Sequence, residues 1–147
     1  MEGEMLRYAW AVTISRPPAY VFPYLTDPVK QGLYSDVPMR QITPGELATG
    51  SRMEVMFGMG PLKATIGLEM TAVDANKRMA FDTYSGPIKW QGEYLLKPTG
   101  GGGTNLSHEG TMRFTGLWRL LEPLVGAELR SNGAKEMERL KSAAEAA

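Results

Sequence analysis

From Met53 to Phe114 the chain keeps exchanging apolar for polar side chains at every second residue, segment after segment. Met53, Val55 and Phe57 alternate with Arg52, Glu54 and Met56. Leu62, Ala64, Ile66, Leu68 and Met70 alternate with Lys63, Thr65, Gly67 and Glu69. Met79 and Phe81 mark another segment, and Ile88, Trp90, Tyr94 and Leu96 alternate with Lys89, Gln91, Glu93 and Lys97. The last segment sets Leu106, His108, Gly110, Met112 and Phe114 against Ser107, Glu109, Thr111 and Arg113. A two-residue period puts successive side chains on opposite faces of a strand. Turns as short as FGMGPL and PTGGGGT permit only hairpins, so the sheet is an antiparallel meander with one apolar face and one solvated face. That apolar face needs a cover.

The remaining segments supply it. Leu6, Tyr8, Trp10, Val12 and Ile14 form a first strand, and SRPPAYVFPYLTDP then changes character. Ser15 suits a helix cap, Pro17 or Pro18 its first turn, and Val21, Phe22 and Leu25 an apolar stripe. Pro23 should kink or shorten this helix, with a second helical turn near Pro28 to Tyr34. From Leu117 the period becomes helical: Leu117, Leu120, Leu121, Leu124, Val125, Leu129, Met137 and Leu140 describe one stripe, kinked near Pro123 and loosened by Gly126 and Gly133. The expected architecture is α+β: one domain over 1–147, about seven strands, two short helices after the first, and a long C-terminal helix over the sheet.

The order β-αα-β6-α, with ISRPPAYVFPYLTDP after the first strand, GELATGSRMEV at the second hairpin, GGTNLSHEG entering the last strand and LKSAAEA ending the helix, resembles the polyketide cyclase/dehydrase family of the START-like (SRPBCC) helix-grip superfamily. The resemblance implies a helix-grip fold, in which a curved antiparallel sheet wraps a C-terminal helix. It implies a cavity between them for an apolar or aromatic ligand such as a lipid, quinone or polyketide-like metabolite, without metal or other cofactor. It also implies two alternatives: a cyclase, aromatase or dehydratase using the same cavity, and a co-chaperone-like interaction protein.

Parity puts His108, the only histidine, on the apolar face. A register with positions summing to 202 sets His108 opposite Tyr94, Gly92 opposite Gly110 and Trp90 opposite Met112, while a one-pair slip sets His108 opposite Gly92. Two facing inward glycines either open a cavity or let the helix approach and the sheet curve. His108 has three readings: a half-buried histidine bonded to Tyr94 or water, a polar ligand contact, or an acid/base group. In the enzyme that the resemblance implies, His108, Tyr94 and Thr83 would assist enolisation or water loss. Glu109 points to the other face and leaves the imidazole without an orienting carboxylate.

Met53, Met70, Met79 and Met112 face inward, where their polarizable side chains either fill the core or adapt to a ligand. Phe81, Trp90 and Leu121 complete the expected cavity wall. Phe57, Met59, Pro87, Phe114, Leu117 and Trp118 lie where three turns gather at one end, an expected entrance.

Composition excludes several function classes. Sixteen basic residues balance sixteen acidic ones, so no net field draws nucleic acid or an anionic membrane. With no cysteine and one histidine, thiol chemistry is absent and zinc would need carboxylates almost alone. Gly100 to Gly103 lacks the following helix and Lys-Ser/Thr pair of a phosphate loop. MEGEMLRYAW is acidic where a signal peptide is basic, and no apolar run spans a bilayer, which points to the cytoplasm.

Overall fold

Seven antiparallel strands form one sheet in the order β1-β7-β6-β5-β4-β3-β2. The computed structural model describes residues 5–35, 37, 39–59 and 61–146, with the side chain of Met59 outside that description. The elements are β1 (Leu6–Ile14), α1 (Pro18–Thr26), α2 (Pro28–Gln31), β2 (Met39–Gln41), β3 (Arg52–Met59), β4 (Leu62–Asp74), β5 (Arg78–Ser85), β6 (Ile88–Pro98) and β7 (Thr104–Phe114). A 3₁₀ segment, Gly116–Leu121, leads into α3 (Glu122–Ala146).

The alternation read from the sequence sets the faces. Met53, Val55, Ile66, Leu68, Met70, Met79, Phe81, Leu106 and Met112 are all buried on one side. The β6–β7 ladder pairs Tyr94 with His108, Gly92 with Gly110 and Trp90 with Met112, the unslipped register. Pairing shifts between Gly67 and Leu68, and between Met70 and Ala72, bulge β4 against β5. Such bulges bend a strand and raise its twist, which helps the sheet to wrap. β1 closes onto β7, setting Tyr8 opposite Gly110 and Trp10 opposite His108.

Ser15 does not cap α1. That position falls to Pro17, with Pro18 starting the helix, and the Ser15 amide instead donates to the Glu145 carboxylate at the far end of α3. Pro23 sits inside α1, which still runs to Thr26, and the Asp27 side chain then accepts the Val29 amide to start α2.

The long helix departs from the expected stripe at its beginning. Pro123 is the second residue of α3, so the change of geometry falls before it, in the 3₁₀ segment. Three residues per turn set Trp118 and Leu121 on one side and Leu117 and Leu120 on the other. Trp118 is buried and Leu121 packs partly against the core, while Leu117, Leu120 and Leu124 are 73%, 78% and 61% exposed. Beyond that point Val125, Met137, Leu140 and Ala144 are buried. The helix lies over the sheet as expected, and among the strands it packs closest to β1. A side chain at Gly133 would overlap the Trp10 ring, with its first carbon 2.2 Å from that ring, and one at Gly126 would meet Leu6. Resting α3 on β1 leaves space between the helix and the middle of the sheet.

Candidate functional site: a methionine- and aromatic-lined cavity

That space is a cavity of about 320 Å³ between the sheet, α3 and the α1–α2 segment. Six methionines line it: Met39, Met53, Met70, Met79, Met112 and Met137. Aromatic rings add to the wall, from Tyr8 and Trp10 on β1, Phe57 on β3, Phe81 on β5, Trp90 and Tyr94 on β6, and Trp118. Gln31, Tyr34, Ser35, His108, Glu128, Asn132, Glu136 and Arg139 add polar groups.

His108 lies at the centre of an aromatic cluster. Its ring stacks on Tyr94, with centroids 3.8 Å apart and planes 16° from parallel, and meets the edge of Tyr8. The hydrogen bond expected from Tyr94 comes instead from Tyr8, whose hydroxyl is 3.0 Å from Nε2. The Trp90 indole N–H donates to the same Tyr8 oxygen at 2.7 Å. Trp90 thus donates to Tyr8, whose own proton is free to go to Nε2 when His108 is the Nδ1–H tautomer.

Burial lowers the imidazole to about 3, so His108 is neutral near pH 7. Burial also raises Tyr8, an effect opposed by the Trp90 bond and reinforced by Glu136. Tyr94 is raised by burial first, then by the charges of Tyr34, Glu136 and Tyr8. These are protonated, hydrogen-bonding groups rather than charged ones.

Gly92 and Gly110 do not open this cavity. A first side-chain carbon at Gly92 would lie 2.6 Å from the Phe81 ring, and one at Gly110 would lie 2.5 Å from both the Tyr8 hydroxyl and the Gln91 carbonyl. The glycines make room for aromatic rings of the sheet itself. They border a shallower depression of about 580 Å³ on the other face, among Arg7, Arg78, Glu93 and Glu109. Arg78 and Glu93 form an ion pair there at 3.0 Å, so this is a solvated charged surface.

The other expected wall and rim positions divide. Phe57, Phe81, Trp90, Tyr94, His108, Met112 and Trp118 line the cavity. Phe114 is fully buried in the core beside it, Leu117 faces solvent, and Leu121 and Pro87 are outside the lining. Thr83 is occupied elsewhere: its hydroxyl donates to the Trp90 carbonyl and accepts the Trp90 amide, bridging the end of the β5–β6 ladder. Glu128 and Glu136 on α3 also line the cavity, while the hydrogen-bond partner of His108 is Tyr8. Counting back four residues at a time from Leu140 reaches Glu136, Asn132 and Glu128, a signal present in the sequence. Tyr8 was legible by parity, and its place beside His108 needed the β1–β7 pairing. Among the described residues, no three metal-ligating side chains gather.

Residues 5–145 match the family described as polyketide cyclase / dehydrase and lipid transport. The chain belongs to that family. Among curated proteins, none matches it by sequence. Solved structures extend the likeness of fold. The Zhui aromatase/cyclase from Streptomyces sp. R1128 superposes with a TM-score of 0.77 at 13% identity, over 97% of this chain and 94% of that one. TTHA0849 from Thermus thermophilus gives 0.76 at 18% identity, over 95% and 97%. DR_A0006 from Deinococcus radiodurans gives 0.64 at 22% identity, over 97% and 98%. At these identities the likeness is one of fold. The polyketide cyclase/dehydrase fold is the helix-grip arrangement described above. Among the described residues, no helix is long and apolar enough to cross a membrane.

Proposed function

We propose that this polyketide cyclase/dehydrase family member binds an apolar aromatic or acyl small molecule in the cavity between sheet and α3. The supporting observation is the cavity itself: about 320 Å³, walled mostly by apolar and aromatic side chains, six methionines among them. Ligand sites in proteins are concave, mostly apolar and about 300–1,000 Å³. Flexible, polarizable methionines let one wall fit irregular ligands. The reading takes the protein to act in the cytoplasm.

A cyclase or dehydratase is the second reading, favoured by the Trp90–Tyr8–His108 relay at the cavity wall and by the Zhui aromatase/cyclase among its structural neighbours. Its weak point is basicity. A histidine whose conjugate acid sits at about 3 removes protons poorly near pH 7, whereas an effective base is matched to the working pH. Binding therefore stands first.

The test is a ligand screen by thermal unfolding with fatty acids, quinones and polycyclic aromatics, with native mass spectrometry of detergent-free protein. A ligand that binds only the folded state adds about 2.7 kcal/mol at one hundred times its dissociation constant. For a domain of this size that is a rise of several degrees in Tm. No shift across the screen and no co-purifying ligand refute the binding reading. Turnover of a polyketide-like substrate that falls several hundredfold in His108→Gln, with binding unchanged, establishes the enzyme instead.

A further inference from the structure

Gln31, the last residue of α2, stands in the cavity wall at 5% exposure. Its amide nitrogen donates to the Leu25 carbonyl at 2.5 Å. That bond fixes the orientation of the amide, since the flipped group would set one acceptor against another. Oε1 is thus turned away from Leu25 and receives no hydrogen bond. Among the described residues it is the one buried side-chain polar atom in that state. Native structures seldom keep a buried acceptor without a donor, and each case calls for a reason.

Two donors of the same wall are already engaged. The Tyr34 hydroxyl donates to the Tyr24 carbonyl at 2.8 Å, and Arg139 Nε donates to the Tyr34 carbonyl at 2.9 Å. Neither donor is directed to Gln31. Among the described residues, no protein donor reaches Oε1.

We propose that Gln31 is a ligand-anchoring residue whose Oε1 accepts a hydrogen bond from a neutral hydroxyl, alcohol or phenol, on an otherwise apolar ligand. The proposal rests on the cavity-binding reading and narrows its ligand class. A hydrocarbon or an ether fills the same space and leaves Oε1 without a donor. A carboxylate presents a charged acceptor to an acceptor. A hydroxyl supplies the donor without charge.

The experiment compares 2-naphthol with its methyl ether, 2-methoxynaphthalene, by titration calorimetry on the full chain. Wild-type protein should bind the phenol about tenfold more tightly, the worth of one hydrogen bond to a buried acceptor. In Gln31→Met, of similar length but without the acceptor, the preference should fall to about twofold or less. Equal affinities in the wild type, or a preference that survives Gln31→Met, overturn the proposal and leave the cavity reading standing. Binding of neither compound, nor of any compound in the broader screen, overturns both. Should Gln31→Met not fold, the side-chain carbonyl carbon of Gln31 serves in labelled wild-type protein. Its resonance should move with 2-naphthol more than with the ether, and equal movement refutes the assignment.

Discussion

The buried imidazole makes stability depend on pH in a way that a single titration can isolate. His108 is the only histidine, so it is the one side chain whose ordinary pKa lies between about pH 5 and 8. Burial lowers it from 6.5 to about 3 in the folded protein. Above pH 6.5 the group is neutral in both states and folding carries no penalty. As pH falls below 6.5 the unfolded chain takes up a proton that the folded chain refuses, so stability is lost, by up to about 1.4 kcal/mol per pH unit until about pH 3. Between pH 7.5 and 5 the loss comes to about 2 kcal/mol. Urea unfolding followed by the fluorescence of the three tryptophans, in half-unit pH steps, measures it. His108→Gln keeps a polar side chain that does not titrate, so its stability should stay flat over the same range whatever its absolute value. Parallel curves for wild type and variant would refute the reasoning, because they would mean that the imidazole charges as readily folded as unfolded.

Other substitutions separate parts of the structure. Gly110→Ala should destabilise by about 1–3 kcal/mol through overlap with Tyr8 and the Gln91 carbonyl, whereas Gly101→Ala, with nothing within 4 Å, should stay within about 0.5 kcal/mol in the same urea assay. Leu140→Ala should cost about 2–5 kcal/mol and Leu124→Ala less than about 0.5 kcal/mol, since one is fully buried and the other mostly exposed. Tyr8→Phe removes the hydroxyl that bridges Trp90 and His108 and should cost about 1–3 kcal/mol in thermal or urea unfolding.

Local periodicity carried most of the fold. The period of two around Trp90, Tyr94, His108 and Met112 fixed the inward face, because a one-residue slip would turn every apolar side chain outward. The one-pair slip keeps that parity, and only the β6–β7 ladder excludes it. The helical stripe lost its phase at Leu117 and Leu120, where the first turns are 3₁₀ and the period is three instead of 3.6. Gly92 and Gly110 were legible as a gap, yet what fills the gap, Phe81 and Tyr8, depends on ring positions that spacing does not encode. The partner of His108 comes from the other end of the chain. Gln31 reads as an ordinary polar residue of a short helix, and only its packing against Leu25 reveals the acceptor left over.

The pairing of the first strand with the last has a consequence for how the protein is made. Tyr8 and His108 are one hundred residues apart in sequence, and β1 has no strand neighbour other than β7. During translation at about 5–20 residues per second, residues 6–14 wait roughly 5–20 s before the strand that pairs with them has been synthesised. Through that interval a nascent chain carries Tyr8, Trp10 and Val12 on an unpaired apolar edge, the kind of surface that ribosome-associated chaperones shield.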